Sequence, residues 1–176
     1  MGMGKHKIWA LVVVLLLVSV HGIGLAQTFT FTDPTDLFTV LIPDNWVYQG
    51  HHSTPQVTVF YGGGDYDLFY VESLGKTSDA SVQELAERTL ELYALPGGLE
   101  EFKLERPLHA KTVAGQWGLA CAYTYIDGRG NSLVEYRIFL LLSGNQGFSI
   151  ALSSDQPWVM DSSFLEDVLL HWRWLF

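Results

Sequence analysis

Hydrophobic and polar residues alternate along most of the chain, and a period of two is typical of half-buried β-strands. Residues 38–42 form one such segment, and a Pro-Asp-Asn sequence ends it just before Trp46. Residues 57–61 and 67–71 form two more, on either side of three consecutive glycines at 62–64. This arrangement predicts a hairpin with a glycine-rich loop.

Two segments show the 3.6-residue period of an amphipathic helix instead. Before the first of them, Ser81 and Glu84 have the spacing of a capping box, in which both side chains accept hydrogen bonds from free backbone N–H groups. The apolar stripe continues to Tyr93, and Pro-Gly-Gly at 96–98 ends the helix, because proline lacks a donor and glycine permits the turn. A second stripe predicts a final helix over about residues 161–172.

The second half of the chain has the pattern of a β-meander. Its three predicted strands are residues 116–126, 133–142 and 148–152. The middle strand is apolar on both faces at Phe139 and Leu141, so it is expected to be a central strand that is covered on both sides. Ahead of the meander, residues 100–108 and 109–113 predict two short strands around Pro107. No repeat, linker or charge block divides residues 27–176, so we expect one domain of mixed α and β structure.

The N-terminal segment has the pattern of a secretory signal peptide over residues 1–26. Two lysines near the start precede an apolar run at 8–20, and Gly24 and Ala26 place small residues at positions −3 and −1 before Gln27. We therefore expect cleavage between Ala26 and Gln27, with no membrane span afterwards. The alternative is a retained membrane anchor, but a spanning helix needs about 20 apolar residues, and a histidine and two glycines interrupt this run first.

Composition and charge exclude several kinds of partner. The chain has 176 residues, 10 Lys and Arg against 19 Asp and Glu, and 14% aromatic residues. Cleavage would remove two lysines and no acid, which leaves eight basic against 19 acidic residues and a net charge of −11. Nucleic acid and anionic lipid surfaces both require a basic stripe, so neither is expected to be a partner. The apolar content excludes disorder for the bulk of the chain.

The residues that could carry metal or thiol chemistry are few. Cys121 is the single cysteine and lies within an apolar strand pattern, which predicts a buried, inert thiol and no disulfide. His51 and His52 are adjacent, so in a strand they would point to opposite faces and would not chelate one ion. Asp65 and Asp67 would share a face, but calcium requires about six oxygen ligands. We expect solvated loops at both places and no metal site or cofactor.

Other candidate sites have simpler interpretations as well. Residues 127–131 weakly resemble a calcium loop, but Arg129 stands at a ligand position, so a turn is predicted. No nucleophile elbow, zinc-binding helix or phosphate-binding glycine loop is present, and we expect no catalytic residue and no enzyme activity. Aromatic residues are more numerous than the strand cores need, which leaves open either ordinary core and surface positions or a binding surface. These aromatic residues are Tyr48, Tyr61, Tyr66, Tyr70, Trp158 and Trp174.

The segment from Phe38 to Trp46, Phe-Thr-Val-Leu-Ile-Pro-Asp-Asn-Trp, resembles the Phe-Ser-Ile-x-Tyr-Pro-x-Gly-Trp opening of PsbP-like proteins. The family takes its name from an extrinsic subunit of photosystem II and includes many small exported bacterial proteins. The order of hairpin, helix, meander and final helix is also similar. Two departures are Asn45, where the family usually has glycine, and the aromatic ending at 172–176.

This resemblance implies an α+β fold in which helices flank an antiparallel β-sheet as an α/β/α sandwich, and typically no catalytic centre. We therefore expect a secreted or periplasmic, non-catalytic module that binds a protein partner or an accessory ligand in the cell envelope. An extracytoplasmic enzyme with an unrecognised site and a structural envelope component are the two alternatives. A fold alone does not decide between them.

Overall fold

The computed structural model describes residues 27–176, which fold into ten β-strands, two α-helices and one 3₁₀ helix. The predicted signal peptide, with its cleavage site after Ala26, lies outside the described residues. The strands are β1 Thr28–Thr32, β2 Phe38–Pro43, β3 Val47–Tyr48, β4 Val57–Tyr61, β5 Leu68–Lys76, β6 Glu100–Val113, β7 Gln116–Ile126, β8 Ser132–Leu142, β9 Gln146–Ser154 and β10 Arg173–Trp174. The helices are α1 Val82–Ala94 and α2 Ser163–Leu170, and the 3₁₀ helix is Pro157–Asp161.

The strands form two antiparallel sheets. The larger sheet has the order β3-β4-β5-β9-β8-β7-β6, and the smaller has the order β1-β2-β10. The predicted hairpin is β4 and β5, and the predicted meander is β7, β8 and β9 in consecutive pairing. Strand β8 lies between β9 and β7, which confirms that it is a central strand.

Alternation along β8 creates two cores, one on each face of the larger sheet. Phe139 belongs to a core that α1 covers through Val82 and Ala86. Ile138 and Leu140 face the other core, which the smaller sheet, the 3₁₀ helix and α2 cover together. The helix-flanked antiparallel sheet is thus present, but the sandwich is confirmed only in part, because the second outer layer combines strands with helix.

Helix α1 begins as its capping residues predict. The Ser81 hydroxyl accepts a hydrogen bond from the Glu84 N–H at 3.2 Å, and the Glu84 carboxylate accepts one from the Ala80 N–H at 2.8 Å.

Helix α2 is shorter than predicted. Of the predicted residues 161–172 only Ser163–Leu170 are α-helical, because Asp161 ends the separate 3₁₀ helix and the Ser162 hydroxyl caps α2 by accepting a hydrogen bond from the Leu165 N–H at 3.3 Å. The chain leaves α2 before Trp172 and pairs β10 with β2.

The prediction of two short strands around Pro107 is wrong, because residues 100–113 form the single strand β6. Strand β6 lies at the edge of the larger sheet, where a residue without a backbone donor is tolerated. Its register with β7 shifts at three places, which accommodates the proline. The sequence patterns also missed the short strands β1, β3 and β10.

Trp46 and Cys121 are both buried, and the burial of Cys121 was predicted from the sequence. Trp46 is 4% exposed and its ring stacks on Phe164 at a centroid distance of 4.1 Å, so the loop after β2 is attached to α2. Cys121 is fully buried on the α1 face, and burial raises the pKa of its thiol to about 12.

Within residues 27–176, no helix is both long enough and apolar enough to cross a membrane.

Candidate functional site

The aromatic residues singled out in the sequence do not form one surface. Tyr48 packs on Phe31 at 5.0 Å, and the Trp174 indole donates to the Val113 carbonyl at 3.1 Å, so both rings support the core. Tyr61 and Trp158 are exposed, on β4 and on the 3₁₀ helix respectively. Of the two interpretations that the sequence left open, core positions apply to Tyr48 and Trp174, whereas Tyr61 and Trp158 are separate exposed positions.

The polar candidates stay apart as well. His51 and His52 are both exposed, and His52 is hydrogen-bonded through Nδ1 to the Tyr61 hydroxyl. Asp65 is exposed at the tip of the β4–β5 hairpin, whereas Asp67 is half-buried. No group of three or more His, Cys, Asp or Glu side chains is arranged to hold a metal ion in the described part of the chain.

The segment 127–131 is a turn, as predicted. One carboxylate oxygen of Asp127 accepts hydrogen bonds from the backbone N–H groups of Arg129 at 2.9 Å and of Asn131 at 2.8 Å. The Asn131 side-chain amide also donates to this carboxylate, and these bonds hold the pKa of Asp127 below its usual value. The Asp127 carboxylate therefore stabilises the turn through hydrogen bonds within the turn itself.

A shallow apolar groove runs between α1 and the edge strand β6, with a volume of about 600 Å³. We call it the α1–β6 groove. Its apolar lining consists of Leu90, Ala94, Leu104, Pro107 and Leu108, and its polar rim consists of Gln83, Glu87 and Glu91. Leu104 is 42% exposed, although it is a large hydrophobic residue.

The charge around this groove is negative. Glu87 and Glu91 lie on the exposed side of α1 and make no ion pair with any of residues 27–176. The neighbouring Arg88 does not offset them, because it binds Asp79 at 2.6 Å and holds the pKa of that carboxyl below its usual value. On β6, Lys103 pairs with Glu105 at 2.7 Å.

The apolar lining of the groove comes from two elements that are next to each other in sequence but form opposite walls. Leu90 and Ala94 lie on α1, and Leu104, Pro107 and Leu108 lie on β6. Sequence reasoning missed this surface, since β6 was assigned as two strands and its exposed leucine had no predicted partner. An apolar residue at an exposed edge position was the available signal.

A cleft of about 430 Å³ lies on the other side of β6, against the 3₁₀ helix and α2. Its basic side chains are already neutralised. Arg106 donates to Asp161 at 3.0 Å and to the Met160 carbonyl at 2.8 Å, and Lys111 binds Glu166 at 2.6 Å. His109 is hydrogen-bonded to the Tyr136 hydroxyl at 3.1 Å. These bonds attach β6 to the layer beneath it and leave little unpaired charge for a ligand.

A buried polar cluster, which we call the Arg137 cluster, lies under α1. The Arg137 side chain is 5% exposed, and it donates to Glu135 at 2.9 Å, to Glu72 at 3.0 Å and to the Tyr70 hydroxyl. Tyr123 also donates to Glu135. Burial raises the pKa values of both tyrosines well above the usual value, so their hydroxyls remain protonated donors.

The Arg137 cluster is therefore an internally satisfied part of the core. The sequence offered a signal for it, since Glu135 and Arg137 alternate within the otherwise apolar strand β8. Two charges at positions i and i+2 of a central strand share a face and must be paired when buried.

No protein-family model matches the chain, and no curated protein matches it. Several solved structures do. Cyanobacterial PsbP from Synechocystis matches with a TM-score of 0.60 and 18% identity, over 90% of this chain and 98% of its own. The Ran-binding protein Mog1p of Saccharomyces cerevisiae matches with a TM-score of 0.57 and 10% identity, over 84% and 95%. LpqN of Mycobacterium tuberculosis, which is involved in cell envelope biogenesis, matches with a TM-score of 0.55 and 12% identity, over 85% and 91%.

Proposed function

We propose that this chain, which has the PsbP-like fold, is an exported, non-catalytic module that binds a protein partner through the α1–β6 groove. The observation that carries the proposal is an apolar groove with an acidic rim on the exposed edge of the larger sheet. Exposed apolar surface with a polar rim is typical of protein-binding sites.

The chemistry of the groove specifies the partner. Leu104 and Leu108 offer apolar contacts, whereas Glu87 and Glu91 offer two carboxylates without a cation beside them. A partner that fills the groove with leucine-like side chains and places lysine or arginine along the rim would satisfy both features. The net charge of −11 on residues 27–176 would further steer a basic partner towards the domain.

The edge strand favours a helix over a strand as the occupant. An added strand needs an unbroken row of backbone donors and acceptors, but Pro107 removes a donor and β6 is irregular at three places. Glu101 also has a positive φ of 51°, within the register shift between Glu100 and Lys103. We therefore infer that an amphipathic basic helix lies in the groove and is recognised through its side chains.

The contacts of the histidines support a non-catalytic role. His52 and His109 bind tyrosine hydroxyls, and His171 binds the Asp167 carbonyl, so none of the three is paired with a serine or cysteine nucleophile. The buried Cys121 has a raised pKa and remains a thiol at neutral pH. A general base that could activate a nucleophile is thus not assembled at these positions.

Export is proposed from the predicted signal peptide at residues 1–26. Two of the similar structures agree with the proposed class of function. Mog1p is described as a Ran-binding protein, and LpqN as a protein involved in cell envelope biogenesis. Their identity to this chain is 10% and 12%, so they support the broad class of a binding or accessory protein, and the proposal of export rests on residues 1–26 alone.

The binding test uses a synthetic helical peptide with leucines on one face and lysines on the other, titrated by fluorescence anisotropy. Leu104→Ser should weaken binding about 30-fold, the effect of losing a central apolar contact. Glu87→Lys combined with Glu91→Lys should also weaken it and reduce its salt dependence. The control is Leu170→Ser, because Leu170 is 77% exposed on α2, away from the groove.

A second experiment identifies the natural partner. A photo-cross-linking residue at position 104 of the full chain, expressed in its native host, should give one adduct that the same residue at position 170 does not give. Equal cross-linking at both positions would contradict the proposal, and so would peptide affinities that the control lowers as much as Leu104→Ser does.

A further inference from the structure

Apolar surface on the α1 face of the larger sheet extends beyond the α1–β6 groove. Strand β6 continues past Leu108 with Ala110 and Thr112, which lie on the same face and are both exposed. Thr112 pairs with Trp117 of β7, and Trp117 is 57% exposed. Tryptophan is highly buried in most proteins, so an indole this open to water marks a place where a partner can bind.

Trp117 lies on the same sheet face as the groove. It alternates in phase with Leu119 and Cys121, and both of these residues belong to the core under α1. Leu119 is buried beside Val82, near the start of α1, whereas Trp117 lies two residues nearer the end of the sheet and is exposed. The strip from Leu108 to Trp117 therefore continues the floor of the groove beyond the part of the sheet that α1 covers.

The turn between β6 and β7 fixes the position of Trp117. Ala114 and Gly115, the two residues between the strands, have positive φ values of 46° and 83°, as a two-residue hairpin turn of type I′ requires. The Val113 carbonyl accepts a hydrogen bond from the Trp174 indole at 3.1 Å, which attaches this hairpin to the core. An aromatic side chain on such a support loses little conformational entropy when it binds a partner.

The distance along the sheet sets the length of the partner. Leu104 pairs with Tyr123, so six residue steps of β7 separate Leu104 from Trp117, a distance of about 20 Å. A helix rises about 1.5 Å per residue and therefore needs about 13 residues to reach from one side chain to the other. A helix of two turns, about 11 Å long, would contact only the groove.

We propose that Trp117 is a second anchor of the α1–β6 groove, so that the basic amphipathic helix bound there has at least about 13 residues and packs an apolar side chain on the Trp117 indole. The role of Trp117 rests on the binding function proposed for the groove. Lys111 does not repel such a helix, because it projects from the opposite face of β6 and binds Glu166 at 2.6 Å. A second copy of this domain fits less well, since two net charges of −11 repel each other.

The experiment compares two stapled helical peptides with leucines on one face and lysines on the other, of about nine and about 16 residues. Their Kd values for the full chain are measured by fluorescence anisotropy. Trp117→Ala should raise the Kd of the longer peptide by about tenfold or more and change that of the shorter one less than about twofold. Leu104→Ser should weaken both. Trp158→Ala is the matched control, because Trp158 is exposed on the 3₁₀ helix, on the other side of the sheet.

Tryptophan fluorescence gives a readout that does not depend on affinity. The peptides carry no aromatic residue, so the longer one should shift the emission to shorter wavelength as it covers the indole, and the shorter one should not. The shift should disappear in Trp117→Phe, which keeps an apolar ring at this position.

The outcomes separate this inference from the proposed function of the groove. If Leu104→Ser weakens both peptides but Trp117→Ala affects neither, or affects both equally, the groove binds helices and Trp117 is not its second anchor. A loss in Trp158→Ala as large as that in Trp117→Ala would overturn the inference as well. If neither peptide binds, or if Leu104→Ser changes nothing, the proposed function fails and the role of Trp117 fails with it.

Discussion

Replacing Arg137 with methionine is expected to destabilise the domain by about 3–5 kcal/mol, the cost of removing one partner from a buried ion pair. Methionine keeps most of the volume and the apolar stem of the side chain, so the perturbation is mainly the loss of charge. Glu135, whose side chain is 3% exposed, would then be a buried carboxylate without a cation.

The contacts place the expected cost towards the lower end of that range. Glu135 would keep the hydroxyl donors of Tyr70 and Tyr123, which stabilise its charge in part. Glu72 has 31% of its side chain exposed, so water replaces its lost partner at small cost. The guanidinium also lies over the Tyr70 and Tyr93 rings at 5.2 and 5.5 Å, and these contacts are lost as well. A value near 3 kcal/mol is expected.

The assay is equilibrium unfolding in urea at pH 7, with Arg129→Met as the control, because Arg129 lies exposed in a turn. The control should change the free energy of unfolding by less than about 0.5 kcal/mol. The double variant Arg137→Met with Glu135→Gln should recover at least about 1 kcal/mol, since the remaining unpaired carboxylate, Glu72, is partly exposed to water and no fully buried charge is left unpaired. A loss below about 1 kcal/mol for Arg137→Met, or a double variant less stable than the single, would refute the reasoning.

Four further predictions follow from the sequence and the structure. Trp46→Ala should cost about 3–5 kcal/mol in denaturant unfolding, and a loss under about 1 kcal/mol would mean that the ring is not part of the core. The free energy of unfolding should decrease at alkaline pH. The reason is that five tyrosine hydroxyls keep their protons in the folded state, whereas the unfolded chain releases them near pH 10. Stability should therefore be complete below about pH 10 and decrease above it, as urea midpoints and tyrosinate absorbance would show. Burial raises the pKa of Tyr93, Tyr125 and Tyr136 to about 12, and that of Tyr70 and Tyr123 well above the usual value. The domain should melt at the same temperature with EDTA, zinc or calcium, and a reproducible increase with one ion would contradict this. The intact mass of the exported protein should correspond to a chain that begins at Gln27, and a mass that retains residues 1–26 would indicate an anchor.

The elements that the sequence predicted well are those whose signals are local. Ser81 and Glu84 define the start of α1 because capping depends on residues three apart, and Val82–Ala94 is helical as expected. Strand β7 has the predicted bounds Gln116–Ile126, since alternation over eleven residues leaves little ambiguity. Cys121 is buried, as the apolar pattern of its strand indicated.

No comparable local signal marks the shortest strands or the groove that α1 and β6 form together. Strands β3 and β10 have two residues each, too few for a period, and they exist only because β4 and β2 offer them partners. Pro107 predicted a break, but the position of β6 at the sheet edge removed the need for its missing donor.

The candidate sites were decided by tertiary structure for the same reason. Asp67 was recognised as a polar residue in a hairpin, yet the Ser154 hydroxyl that donates a hydrogen bond to it comes from a strand 87 residues further along the chain. Leu104 was one leucine in an uncertain strand until α1 provided the opposite wall of the groove. The sequence alone determined the local elements and the faces they bury, because propensity and periodicity act over a few residues. Only the packing of those elements determined which exposed side chains meet, because that depends on sheet order and on which layer covers each face.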